Sequence, residues 1–239
     1  IVADEELPVH EAVANSNFEP VVFAFPIKAF NDAKTATVVD VTELYNTDVK
    51  LFGLPDFFRK NYKITRLDTK KSFIESMKSF PMNLQIHHVK TYAAGAPPSH
   101  TSMGSVSVEM SNSMILLHKE TLKRRVFDRR VGWFTTSQTD YGSEAQKSET
   151  VTCLDRWRLE VKEEDLEKFK RGELVEPKKP IVYYVDRATP EKWRSYIKEG
   201  IEDWQVAFEA AGFKNAIIAK DPPSKEEDPD WSPEDVRYS

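Results

Sequence analysis

The five histidines are the chain's first candidates for chemistry, and His10, His87, His88, His100 and His118 all lie in its first half. Adjacent residues on a strand point to opposite faces, so His87 and His88 cannot chelate one ion from a regular strand. A zinc site would need His88 and His118 to meet across a hairpin, with Glu109 joining them. The pattern argues against it, because no helical HExxH or other spaced ligand set accompanies these residues. The single cysteine, Cys153, cannot form an intrachain disulfide and rules out a thiolate zinc cluster. It reads as a small hydrophobe in a sheet. Lys123, Arg124, Arg125, Arg129 and Arg130 form a cationic cluster that could grip a phosphate or carboxylate. Asp128 and Asp140 are available as internal partners, which favours an ion-pair network over a ligand site. Asp186, Asp221, Asp228 and Asp230 read as a cap, a turn and loop charges. No glycine-rich phosphate loop, nucleophile elbow or EF-hand pattern is present, so the residues by themselves define no catalytic, cofactor-binding or metal site.

The 239 residues suffice for two modest cores, and 40% apolar composition with 14 Phe marks a folded chain. A net charge of −5, with both signs spread along the sequence, indicates neither a nucleic-acid groove nor a polybasic membrane surface. No transmembrane stretch or signal peptide is visible. The opening IVADEELPVHEAV, without an initiator methionine, is expected of a processed or clipped product and leaves room for a removed export signal.

The elements that would position any site follow from pattern. Ile27 to Phe30 and Thr35 to Thr42 read as a hairpin turned by Asn31-Asp32, with Pro26 limiting the approach to an edge or kinked strand. The apolar stretch from Leu44 to Phe58 reads as packed short helix or loop. Asp68 is placed to cap a helix over Lys70 to Ser79 with Phe73, Ile74, Met77 and Phe80 inward, stopped by Pro81. Leu84 to Tyr92 and Val106 to His118 alternate as a long antiparallel hairpin around the loop AAGAPPSHTSMG. Val131 to Thr136 and Thr150 to Glu160 are further strands, Glu163 to Arg171 a short helix, and Gly172 to Pro180 a charged linker. That linker sets the expected domains at 1–175, mainly β, and 176–239.

Pro180 to Lys220 is the clearest stretch. Ile181 to Val185 is a strand, Thr189 an N-cap with Pro190 at the first helical position, and Gly212 the terminating C′ residue. Trp193, Ile197, Ile201, Trp204, Phe208 and Ala211 form one apolar stripe, while Lys192, Arg194, Lys198, Glu199 and Glu202 mostly face away. The helix between would span about 33 Å. With Ala216 to Ala219 as a second strand, the unit predicts a crossover between parallel strands.

The run from Lys179 to Ser239, above all WRSYIKEGIEDWQVAFEAAGFKNAIIAKDPP, resembles the opening of the catalytic domain in a Bacteroidetes-type family of zinc-dependent metalloproteases of the metzincin class. FPMNLQIHHVKTY, RRVFDRRVGWFTTSQTDYG and DRWRLE resemble that family's N-terminal domain of unknown function. The resemblance implies an α+β fold: a largely antiparallel N-terminal domain, then an incomplete metzincin-like mixed sheet with one long helix. It implies peptide hydrolysis by zinc-activated water in the full-length protein, on an HExxHxxGxxH helix beyond Ser239. No catalytic or zinc residue is therefore carried over, and no cofactor is expected in this chain. Val236 to Ser239 would begin a severed strand, and the Trp193 and Trp204 stripe would support the missing active-site helix. The implied partners are the remainder of the catalytic domain and a peptide or protein substrate, with a secreted, periplasmic or outer-surface location. Two other readings stay open: a non-catalytic peptide- or glycan-binding scaffold using Trp133, Tyr141 and Trp231, and a prodomain-like regulator of the protease.

Overall fold

The computed structural model describes residues 7–143 and 146–238, so the first six residues of the opening stretch and the last residue of the expected C-terminal strand lie outside the described residues. The chain divides into one unit of residues 19–117 and a second made of residues 1–18 with 118–239. The second begins with α1 (Pro8–Ser16), which carries proline in its first turn, where the missing N–H is harmless.

In the 19–117 unit, β1 (Ile27–Phe30) and β2 (Thr37–Val39) form the expected antiparallel hairpin. Asn31 builds its turn by accepting from the N–H groups of Thr35 and Ala36, each at 2.8 Å. α2 (Thr42–Asn46), a 3-10 turn at Lys50–Phe52 and α3 (Asp56–Asn61) occupy the apolar stretch that follows. β3 (Ile64–Leu67), β4 (Phe73–Ser79), β5 (Asn83–Ala94) and β6 (Ser105–Ile115) make a four-stranded antiparallel sheet. Its spine is β5. β6 lies along one edge of β5 from Asn83↔Ile115 to Ala93↔Ser105, and β4 and β3 share the other edge end to end.

The helix expected over Lys70 to Ser79 is a correction: Phe73–Ser79 form β4. Asp68 does cap, accepting from Lys70 N–H at 3.1 Å, but it closes only a 3-10 turn over Thr69–Lys71. Phe73, Ile74 and Met77 fit helical spacing, yet the ladder to β5 satisfies the backbone at long range, and Phe73 and Met77 end up half exposed. Leu44, Tyr45 and Ile86 form the core, with Phe23, Phe25, Phe52 and Ile74 packed around them. Full burial of side chains like Tyr45 and Ile86 stabilises by about 1.5–3 kcal/mol each.

In the other unit, β7 (Thr135–Asp140) and β8 (Glu149–Leu154) pair antiparallel from Thr135↔Leu154 to Asp140↔Glu149. Both strands differ from the expected Val131 to Thr136 and Thr150 to Glu160. Leu154 N–H donates to Arg125 O and Phe127 N–H to Thr152 O, so the 125–127 segment flanks β8 and the ladder stops at Leu154. α4 (Leu166–Lys170) follows a 3-10 turn at Glu163–Asp165.

β9 (Ile181–Tyr184) and β10 (Ile217–Lys220) are parallel, paired from Ile181↔Ile217 to Tyr184↔Lys220. The connection holds two helices, α5 (Glu191–Glu202) and α6 (Gln205–Ala210), joined by Asp203 and Trp204, which keep right-handed helical dihedrals. Thr189 is not the N-cap; that place falls to Pro190, one residue later. Gly212 is the C′ residue as expected, at φ +93°. Phe213 N–H donates to Phe208 O and Gly212 N–H to Glu209 O, the bond pair of a Schellman motif. Val175, Phe213 and Ala216 form a second core with Leu159, Val161, Phe169 and Phe208.

The facing of this helical run also needs correction. Trp193 is 51% and Trp204 65% exposed, with Tyr196 and Ile197 exposed beside them. Arg194, Lys198, Ile201, Gln205 and Phe208 are the half-buried positions, so of the expected stripe only Ile201 and Phe208 turn inward. Arg194 donates to the carbonyls of Thr189 and Arg187, and Gln205 donates to Phe213 O while accepting from Ala216 N–H. These bonds to the turns at either end fix the rotation of the helix. The expected strand at Val236 to Ser239 is absent over the described residues 236–238, where Asp235 forms a turn by accepting from Arg237 N–H. The architecture is thus mixed α+β, with several antiparallel pairings and one parallel pair. Among the described residues no helix is long and apolar enough to cross a membrane.

Candidate functional site

The histidines do not converge. β5 places His87 and His88 on opposite faces, and the register sets His88 opposite Met110, with β6 ending at Ile115, before His118. Glu109 reaches His87 instead, 3.5 Å from Nδ1. Among the described residues no group of three or more His, Cys, Asp or Glu could hold a metal ion, so they do not fit a zinc centre. The arginine cluster is paired within the chain in part, on the surface: Arg130 pairs bidentately with Asp128, and Arg124 donates to Gln138. Asp140 accepts from Gly142 N–H rather than from an arginine. Cys153 is half-buried in β8, and Trp133 Nε1–H donates to Asp155 O.

The densest polar chemistry lies on the inward face of β5, where His88 sits beside two residues that the pattern did not single out, Lys90 and Tyr92. Ile86, His88, Lys90 and Tyr92 alternate along β5 and share its inward face, and all but Ile86 are polar. Lys90 is 0% exposed. Its Nζ donates to Thr47 O at 2.8 Å, and burial pulls its pKa down to about 8, against the upward pull of Asp48. Arg59 grips Asp48 with both terminal nitrogens, holding that carboxyl below the ordinary range. The same guanidinium lies 5.1 Å from the Tyr92 ring centroid and donates from Nε to Leu54 O at 2.6 Å. Tyr92 Oη accepts from Leu54 N–H, and burial raises its pKa.

His88 completes the row. Its Nε2 lies 2.6 Å from Asn112 Oδ1, so Nε2 carries the proton, while Nδ1 is buried and has no hydrogen-bond partner among the described residues. The ring packs 5.4 Å from Tyr45, and burial lowers the pKa of the imidazole. A lysine that releases its proton near pH 8 could act as base or nucleophile. Complete burial denies it a substrate, and its bonds run to the Thr47–Asp48 turn. The row therefore braces the 42–61 segment onto the sheet. A lysine at an apolar-phase position of an otherwise inward face was the available sequence signal.

An accessible site lies in the other unit, at the carboxyl ends of the two parallel strands, where open α/β sheets present their ligand crevices. There a cleft of about 370 Å³ is lined by Tyr184, Arg187, Pro223, Lys225, Asp228 and Trp231 among others. Tyr184 meets Trp231 edge-on at 5.4 Å and Tyr238 at 6.2 Å, and the Arg187 guanidinium lies 5.9 Å from the Trp231 ring centroid. Arg187 is held in place by donating to Pro223 O. The wall behind is fixed by Asp235, fully buried and clasped by Arg237, whose guanidinium holds that carboxyl below its usual range. Asp186 caps its own turn through Ala188 N–H, and Asp221 pairs with Lys198, as cap and turn charges. The lining combines two rings and four prolines with two cations, Arg187 and Lys225, and two carboxylates, Asp186 and Asp228. Of the three aromatics proposed for binding, only Trp231 lines it.

Compared with protein-family models, residues 1–162 match one described as a domain of unknown function, DUF5117. No curated protein and no solved structure matches the chain. The matched span contains the β5 row and ends before the cleft. Because it covers more than half of the sequence, the chain belongs to the DUF5117 family.

Proposed function

We propose that this chain is the N-terminal portion of a secreted zinc-dependent metallopeptidase of the metzincin type, with the zinc ligands and general base on a later segment. The observation that carries this reading is the Pro180 to Lys220 stretch. It combines the sequence resemblance with a parallel strand, helix, strand unit whose Trp193 and Trp204 stripe is left uncovered. A further helix of a catalytic domain would cover such a stripe. In this reading residues 19–117 are a braced accessory unit and the cleft at Trp231 lies beside the path of substrate.

The test is to read the gene past Ser239 and to purify the longer product beside this chain. The reading expects an HExxH helix downstream, stoichiometric zinc and peptidase activity in the longer product. A stop codon directly after Ser239, or a longer product without zinc binding, would overturn it. The Trp231 cleft favours a second reading, a non-catalytic peptide- or glycan-binding module. That reading expects ligand retention by this chain and loss of it in Trp231→Ala.

A further inference from the structure

The two outer edges of the four-stranded sheet are built differently. The edge formed by β4 and β3 carries register shifts at Ile74/Ser76 and Ile64/Arg66, with Lys63, Arg66, Glu75 and Lys78 along it. Bulges and charges of this kind blunt an edge against further pairing. β6 has none of the bulges: it runs 11 residues without a register shift, without proline and with one charge, Glu109. Two bonds beyond the ends of its ladder fix which groups point outward. Leu116 N–H donates to Met82 O and Ala94 N–H to Gly104 O, so the even-numbered residues of β6 exchange bonds with β5. The N–H and C=O groups of Ser105, Ser107, Glu109, Ser111 and Ser113 therefore point away from the sheet. Among the described residues no other strand pairs with them.

We propose that the open edge of β6 is a docking site for an extended polypeptide that adds as a further strand and carries lysine or arginine opposite Glu109. Backbone groups supply the affinity in this mode, and alternate side chains supply the selection. Half-buried Val106, Val108 and Met110 favour apolar residues on one face of the incoming strand, and the serines favour small polar ones on the other. Glu109 decides between partners. In the antiparallel register centred on Glu109 a second copy of β6 would set Glu109 against Glu109, and like charges directly opposite are destabilising; in the register about Met110 it would set Glu109 against Ser111. A basic strand meets complementary charge at Glu109. This inference is independent of the metallopeptidase reading.

The test uses the full chain and synthetic peptides matched to Ser105–Ser113 of β6, a span centred on Glu109, alternating valine and threonine with a central arginine or a central glutamate. Binding is titrated, and amide exchange is followed by NMR. The arginine peptide should bind about tenfold tighter than the glutamate peptide. It should protect the amides of Ser107, Glu109 and Ser111, while those of Val108 and Met110 are already protected without it. Glu109→Lys should reverse the preference, and N-methylation of alternate peptide amides should abolish binding. Ser107→Pro gives a second variant, because that N–H makes no bond to β5; it should weaken both peptides. Absence of binding, binding without protection of the odd-numbered amides, or an unreversed preference would each overturn the proposal. Protection of those amides in the protein alone, with a doubled mass, would assign the edge to a second copy and overturn it as well.

Discussion

Lys90 makes the stability of the 19–117 unit depend on alkaline pH in a direction opposite to that of most proteins. Its ammonium is fully buried and releases its proton at about 8 in the fold, against an ordinary value of 10.5. Between those values the unfolded chain binds more protons at this site than the folded one, so stability rises with pH. From pH 7 to pH 10 the gain from this group is about 2–3 kcal/mol, equivalent to roughly 1–2 M in a urea midpoint. The groups facing Lys90 do not cancel it within that window. Asp48 stays ionised and Arg59 stays charged, while the phenols of Tyr45 and Tyr92, raised by burial, lower stability only above their ordinary value of 10.0. The assay is urea unfolding followed by circular dichroism at intervals from pH 7 to pH 10, for the wild type and Lys90→Met. The wild-type midpoint should climb and the difference from the variant should grow with pH. Parallel curves for the two proteins would refute the assignment of a buried, easily deprotonated lysine.

Acid should act on the same strand through His88, whose imidazole is held neutral by burial. Stability should fall as pH drops below about 6.5, where the unfolded chain takes up a proton first, and His88→Phe should flatten that limb in the same unfolding assay. Arg59→Ala removes the partner of Asp48, the bond to Leu54 O and the stacking on Tyr92, and should destabilise by about 2–3 kcal/mol, measured as a loss in urea midpoint. At Gly212 an added Cβ would lie 2.5 Å from Phe169 Cε2 at a left-handed φ, so Gly212→Ala should cost about 2–4 kcal/mol. Gly104→Ala, left-handed but in open space, should cost only about 1–2 kcal/mol. Gly200→Ala, mid-helix and in open space, should stabilise by about 0.5–1 kcal/mol. Thermal melts that rank the three glycine variants differently would contradict the stated geometry.

Much of the fold was legible because the relevant rules are local. Alternation from Leu84 to Tyr92 and from Val106 onward required a two-faced hairpin, and the register confirmed it. Asn31-Asp32 set a turn through a side-chain acceptor, and Gly212 ended a helix because its φ is open only to glycine at little strain. The site was less legible. Nothing near Lys90 in sequence announces that Thr47 O will face its ammonium, since that contact spans 43 residues and depends on how α2 packs on the sheet.

Where local rules allowed two outcomes, tertiary structure chose. Phe73, Ile74 and Met77 fit helical spacing, yet the free edge of β5 took them as a strand, with the neighbours Phe73 and Ile74 on opposite faces. The crossover helix carries an aromatic stripe, and bonds from Arg194 and Gln205 to the turns at its ends put the row of Arg194, Lys198, Ile201, Gln205 and Phe208 inward and leave Trp193 and Trp204 exposed. By itself the sequence determined periods, caps and turns, which depend on covalent geometry and neighbouring residues. Which face became buried, which polar groups lost water and which strand edge stayed open were decided only when distant segments met. Hydrogen bonding and burial are properties of those meetings rather than of any one stretch of chain.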